Sequence, residues 1–256
     1  MTDTWKRERM GIIDTLLTSL HTDAPTRQVL VGAFWTAVVL DTDPPRCGLA
    51  STLRPATHPG GPPVPRAGRL LEHSGRELAE LLRSSSTLEA SIGMAAFNAL
   101  LEVDGETGIE INAEDVILDK GTGKRIAIVG HFPFIERVRR AAAECWVVEL
   151  HPRPGDLPAE RSAEVLPQAD VVALTGTSLI NHTFDDLIGL CNPDTFVILL
   201  GGSTPLTPVL FDYRVDAVAG TWVVDVSAAL QTVGQGATFP QIRGKRLLTL
   251  VREEQL

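Results

Sequence analysis

A 256-residue chain with a formal net charge of −9 is poorly suited to a nucleic acid, which asks for a basic face. Its 44% hydrophobic and 21% charged residues are those of a globular protein able to bury one large core or two modest ones. No apolar run approaches the ~20 residues that span a bilayer, so neither a nucleic acid nor a membrane is expected as a partner.

The N-terminal segment sets charges before a broken apolar pattern and has no small-residue cleavage site, so no signal peptide is expected. Cys47, Cys145 and Cys191 show no paired spacing, which argues against a disulfide framework and for a reducing cytoplasm.

Along the chain, Trp5 to Leu20 puts Ile12, Leu16 and Leu20 on one stripe and predicts a helix. Thr26 to Asp41 carries two apolar β-rich runs around Gly32, the pattern of a hairpin or a bulged strand. Cys47 to Leu53 predicts a further strand, the Pro- and Gly-rich Thr57 to Ala67 an exposed loop, and Gly75 to Arg83 a short helix. Ser86 and Glu89 have capping-box spacing ahead of an apolar stripe at Leu88, Ile92, Ala95 and Ala99. Gly93, Ala95 and Ala96 would let another element approach closely. Asn98 falls within this apolar helix, where a polar side chain must reach solvent, brace backbone or face a site.

This unalternating mixture predicts an α+β N-terminal domain over residues 1–115. From residue 116 the pattern becomes βαβ, with strands at Ile126–Val129, Trp146–Leu150, Val171–Thr175, Phe196–Leu200 and Ala217–Ala219. Residues 116–256 are therefore expected to form a Rossmann-like parallel-sheet domain, and the chain as a whole belongs to the α/β class. Pro133 suits the first position of the helix that follows Gly130.

Turns at Gly130-His131-Phe132, Gly176-Thr177-Ser178, Gly201-Gly202-Ser203-Thr204 and Gly220-Thr221 would gather on one sheet edge, with Asn181 and Thr183 after the second. Glycines let a backbone approach a ligand, and helix N-termini favour anions. For each hydroxyl the competing role is a helix cap. Glu149 ends the second strand about twenty residues after Gly130, where a dinucleotide fold places its ribose-binding acid. The first turn lacks G-x-G-x-x-G, however, and Phe132 and Pro133 close the usual pyrophosphate path. GTGK precedes a strand and is no phosphate loop.

His131 is the leading titratable candidate, able to bind metal or move a proton near neutral pH; His151 and His182 rank behind it. The histidines and cysteines form no zinc-type cluster. Cys145 and Cys191 read as small core residues, and no G-x-S-x-G supports a serine hydrolase. The cluster Arg137, Arg139 and Arg140 reads as a solvated helix face.

SIGMAAFNALL, IVGHFPFIERV, LTGTSLINHTFDDLI, ILLGGSTPLTPVLF and VDAVAGTWVVD together resemble a family of putative heavy-metal-chelation proteins of unknown function. The resemblance implies an enolase-N-like domain followed by a Rossmann-like domain, with the site in the cleft between them. Carried over residue by residue, it implies Asn98, Gly130, His131, Asn181, Thr183, Gly201, Ser203 and Thr204 as cleft residues.

The expected protein binds a small polar or anionic ligand or a metal, in metal-cofactor or metallophore metabolism. A divalent metal of unassigned identity is the expected cofactor, and the chain is compatible with a homo-oligomer. His131 and Glu149 are the candidate catalytic residues, and His131 is also the candidate metal ligand. Asn98 and Asn181 would orient the substrate, with Phe132, Gly176, Thr177, Ser178 and Gly202 completing the binding set. On this reading His131 faces Asn98 across the cleft, and the Thr57–Ala67 loop is either inert or a cover. The alternative is a metal-free transferase or oxidoreductase using a nucleotide-like cofactor. A third possibility is a non-catalytic chaperone or scaffold for metal-cofactor assembly.

Overall fold

The computed structural model describes residues 10–54 and 61–252. Helix α1 runs Ile12–Thr18 and buries Ile12, Leu16 and Leu17; the earlier part of the expected helix, from Trp5 to Arg9, lies outside the described residues. Strands β1 (Thr26–Val31) and β2 (Trp35–Leu40) pair antiparallel with an irregular register between Thr26 and Gln28, so the hairpin and the bulge both occur. Strand β3 (Arg46–Ser51) completes a three-stranded antiparallel sheet. Helix α2 (Gly75–Ala79) follows. Of the Pro/Gly-rich stretch, residues 57–60 lie outside the described residues.

Helix α3 (Thr87–Leu100) is buried nearly all round, from Ala90 to Phe97 and at Ala99 and Leu100, rather than along one stripe. Every residue of β2 is buried. Side chains alternate across a strand: Val38 and Leu40 pack with α3, while Trp35, Ala37 and Val39 join Ala229, Val233 and Ile242 from the C-terminal part. Small residues set the spacing. A Cβ on Gly48 would lie 2.1 Å from Ala95 O and 2.3 Å from Ala99 N, and one on Gly93 would lie 2.2 Å from Leu82 N. The expected capping box at Ser86 does not form, because each partner is taken by a neighbour. Glu89 accepts from Ser84 Oγ at 2.6 Å, and Ser86 Oγ donates to Pro63 O at 2.7 Å. Ser74 and Glu77 cap α2 in that way instead.

The second part runs α4 (Ala113–Gly121), β4 (Arg125–Val129), α5 (Ile135–Ala141), β5 (Glu144–Glu149), β6 (Leu157–Pro158), α6 (Ser162–Val165), β7 (Val171–Thr175), α7 (Thr177–Ile180), α8 (Phe184–Leu190), β8 (Phe196–Leu200), β9 (Ala217–Val223), α9 (Val226–Gly234) and β10 (Lys245–Val251). Its seven-stranded sheet has the order β10-β9-β8-β7-β4-β5-β6. All pairings are parallel except that of β9 with β10. The chain winds outward from β4 through β5 to β6, then returns to the other side of β4 as β7. That is the doubly wound order, and it opens a crevice at the carboxyl ends of β4 and β7. The protein is thus a mixed α/β structure with a small antiparallel sheet and a larger, mostly parallel one.

Two expectations change here. Gly220 and Thr221 are not a turn: they lie inside β9, paired with Leu248 and Leu247 of β10, a strand whose partner is too distant in sequence to be read locally. Helix α5 starts at Ile135, so Pro133 precedes it in a turn. Among the described residues, no helix is long and apolar enough to cross a membrane.

The cysteines are packing residues. Burial pushes the thiols of Cys47 and Cys191 up to about 12 and that of Cys145 up to about 11. All three are protonated thiols at neutral pH, so the folded protein is expected to react slowly with a thiol-exchange reagent such as dithionitrobenzoate and fully once denatured. A rapidly titrating thiol in the native protein contradicts this. The sign for stability follows from the raised folded values. Their contribution is complete below the ordinary value of 9.0 and is lost as pH climbs from there toward about 11 to 12.

Candidate functional site

The carboxyl-end crevice opens into a cavity of about 710 Å³, within the range of small-molecule sites. Much of its wall comes from strand ends. At β4, Gly130 turns the chain with φ 110°, and His131 and Phe132 follow it on the cavity wall. At β7, Gly176, Thr177 and Ser178 line it, with Asn181 and Thr183 beyond. Gly201, Gly202 and Ser203 line it at β8, and Glu149 at β5. The topology thus gathers these candidates around one space because each ends a parallel strand or lies in the turn or first short helix after one.

Asn98 and Thr204 are not on that wall. The Asn98 amide donates to Leu49 O at 2.9 Å and to Ser203 O at 3.2 Å, bracing β3 against the β8 turn. Thr204 is 1% exposed, and its hydroxyl packs against the backbone of Gly176. The expected pairing of His131 with Asn98 therefore does not form. Ser203 serves as a clasp as well as a wall: its Oγ accepts from Ser51 N at 2.8 Å and donates to Ser51 Oγ at 3.1 Å.

His131 is instead held by a residue that the sequence reading passed over. Its Nδ1 lies 3.2 Å from Asp156 Oδ2. An ionised carboxylate only accepts, so Nδ1 is the donor of this pair, and in the neutral ring the lone pair is that of Nε2. The Asp156 side chain is 1% exposed and lies 3.5 Å from Arg139 Nη2. It also accepts from Arg153 N at 3.1 Å, and Arg139 donates to Gly155 O at 3.1 Å. Arg139 is therefore more than a solvated residue: it ties α5 to the turn that carries Asp156. The available signal was Pro154-Gly155, a turn dipeptide just beyond β5 with an acid at its end.

The smaller polar groups mostly satisfy one another. Thr183 Oγ1 donates to Asn181 Oδ1 at 2.8 Å, Ser178 Oγ donates to Thr175 O at 2.7 Å, and the hydroxyls of Thr175 and Thr177 meet at 2.9 Å. Thr221 Oγ1, on the wall, is buried without a protein partner. His182 is not a site residue; its Nε2 donates to Leu82 O at 2.7 Å, and the ring does not line the cavity. The N-terminal part supplies Trp35, whose ring centroid lies 5.0 Å from that of Phe239. Both rings close over Gly202, where a Cβ would come within 2.6 Å of Trp35 and 2.5 Å of Phe239. Phe132 stacks on Phe134 at 5.2 Å and 8°.

Fold and cavity together define a Rossmann-like protein whose carboxyl-end crevice is walled on one side by an antiparallel N-terminal unit. Two family models, both described as "Putative heavy-metal chelation", match it: DUF4213 over residues 13–101 and DUF364 over residues 112–252. The chain belongs to this family.

A DUF364-family protein of unknown function from Desulfitobacterium hafniense DCB-2 has a similar structure, with a TM-score of 0.79 and 26% identity over 94% of this chain and 97% of that one. Another, from Pyrococcus horikoshii, shares the fold with a TM-score of 0.80 at 19% identity over 94% of this chain and 98% of the other. An uncharacterized protein of Methanocaldococcus jannaschii is 27% identical over 166 residues, which are 60% of this chain. The match spans 62% of that relative's length.

Proposed function

We propose that the protein binds a small polar molecule in the cavity, with His131 as its reactive contact. The observation that carries this reading is an imidazole held by a buried carboxylate at the wall of a 710 Å³ space. A ring nitrogen fixed in this way is a good metal donor and a good proton acceptor. The family description supports a metal as part of what is bound. Among the described residues, however, no three His, Cys, Asp or Glu side chains gather into a metal-binding group. One histidine is too few for a resident ion, so these residues do not fit a resident metal cofactor. They fit a metal that arrives as cargo inside a chelating molecule, with His131 filling its open position.

Calorimetric titration with Ni²⁺ alone and with its diethylenetriamine complex tests this reading. The complex is expected to bind the wild type and to lose about tenfold or more in affinity with His131→Ala. Equal binding by the variant, or no binding by either protein, rejects the proposal.

A second reading, a metal-free transferase or oxidoreductase with a nucleotide-like cofactor, is favoured by Glu149 on the wall at the end of β5. Mass spectrometry of the native protein as purified separates the two: a retained nucleoside-type molecule favours the second, a retained metal the first.

A further inference from the structure

We infer that the β5 side of the cavity takes a ribonucleoside that carries no phosphate. The inference rests on the cavity being a ligand site and specifies the occupant in the second reading above. Glu149 ends the strand next outward from β4, where doubly wound folds hold ribose hydroxyls. Its Oε2 accepts from Leu150 N at 3.0 Å, which fixes the carboxylate at the strand end and leaves Oε1 for a diol. Leu150 shares this wall and is 60% exposed. A large aliphatic side chain left bare beside a carboxylate gives a base an apolar face next to the group that reads its sugar.

The same cavity is built against phosphate. Its ionisable lining residues among those described are His131, Glu149, Glu160 and Asp186, with no Lys or Arg. Phosphate-binding turns use free backbone N–H groups, yet that of the first glycine after each of β4, β7 and β8 is engaged inside the sheet. Gly130 N donates to Val148 O at 3.0 Å, Gly176 N to Leu200 O at 2.8 Å, and Gly201 N to Ala219 O at 3.1 Å. Phe132 covers two of these turns: a Cβ on Gly130 would lie 3.2 Å from its ring, and one on Gly201 4.0 Å. A pyrophosphate here would lose its water beside carboxylates without a lysine or arginine counter-charge, an expensive transfer. A neutral nucleoside meets no such penalty.

The test is calorimetric titration of the full chain with adenosine, guanosine, cytidine and uridine, each beside its 5′-monophosphate and its 2′-deoxy form. At least one ribonucleoside is expected to bind, with its monophosphate and its deoxy form each about tenfold weaker or more. Glu149→Gln is expected to weaken it about tenfold as well, since a hydrogen bond to a charged group is being replaced by one to a neutral amide. A matching thermal melt would show that the variant is folded. The inference is overturned by a monophosphate that binds as tightly as its nucleoside, by an unchanged affinity in Glu149→Gln, or by no nucleoside binding at about 1 mM. The nickel-complex titration on the same preparation keeps the two proposals apart: nucleoside failure with retained complex binding overturns this inference and leaves the His131 reading standing.

Discussion

Gly48→Ala is expected to destabilise the protein by about 3 kcal/mol or more, the upper end for an overpacked core. The added methyl would sit 2.1 Å from Ala95 O and 2.3 Å from Ala99 N. Both are backbone atoms of α3, and neither can turn aside as a side-chain tip would. The sheet and helix must therefore separate, and the whole face they share loosens with them. Val38, Leu40 and Ala50 pack in the core cluster with Ala95, Ala96 and Ala99 of that helix. Against a total stability of ~5–15 kcal/mol for a typical protein, this is a large share. Urea unfolding followed by circular dichroism measures it; a midpoint equal to that of the wild type would show that the close approach is not needed. The site is expected to suffer too, because β3 ends at Ser51, whose backbone N–H and hydroxyl hold Ser203.

Asp156→Asn is expected to weaken binding through His131 by about ten- to a hundredfold with the fold retained, the usual range for removing the partner that orients a ligating histidine. The exchange keeps the size of the side chain and alters its hydrogen-bond character. Asp156 Oδ2 now accepts from both His131 Nδ1 and Arg153 N. Both donors meet the same oxygen, so an asparagine can serve them only by turning its NH₂ toward Arg139 Nη2. That nitrogen lies 3.5 Å from Oδ1 and is itself a donor, and the repulsion favours the flipped amide. If the NH₂ meets the ring, Nδ1 must accept and the proton moves to Nε2, which removes the lone pair from Nε2. Nitrogen-15 NMR of the His131 ring reports the tautomer directly, and the nickel-complex titration reports the consequence. A wild-type ring protonated at Nε2, or an affinity unchanged in the variant, rules out Asp156 as the positioning residue.

How much of this was legible depends on the range of the interaction involved. The strands at Val171–Thr175 and Phe196–Leu200 stand where their unbroken apolar runs placed them, because a strand buried on both faces announces itself by composition. The turn glycines after β4, β7 and β8 were equally plain, and knowing that parallel strands end on one edge was enough to bring His131, Glu149, Asn181 and Gly201 around one space. Strand β10 was missed because its pairing with β9 answers to a partner more than twenty residues away, and its own sequence alternates only weakly. Glu89 found Ser84 instead of Ser86 because a capping box is one of several hydrogen bonds open to a short polar cluster. Asn98 was rightly read as a side chain in need of partners, but which partners it takes depends on where β3 and the β8 turn lie.

His131 carries the same division. By itself the sequence determined the α/β class, the strand-turn position of His131 and the glycines around it, since these follow from local periodicity and backbone sterics. Only the tertiary structure decided what surrounds the histidine. It brought Asp156 from beyond β5 to one ring nitrogen, turned Arg139 down onto the same turn, and set Trp35 from the N-terminal sheet against Phe239 over Gly202. Contacts between residues so far apart along the chain depend on how whole elements pack, and no local pattern of residues encodes that.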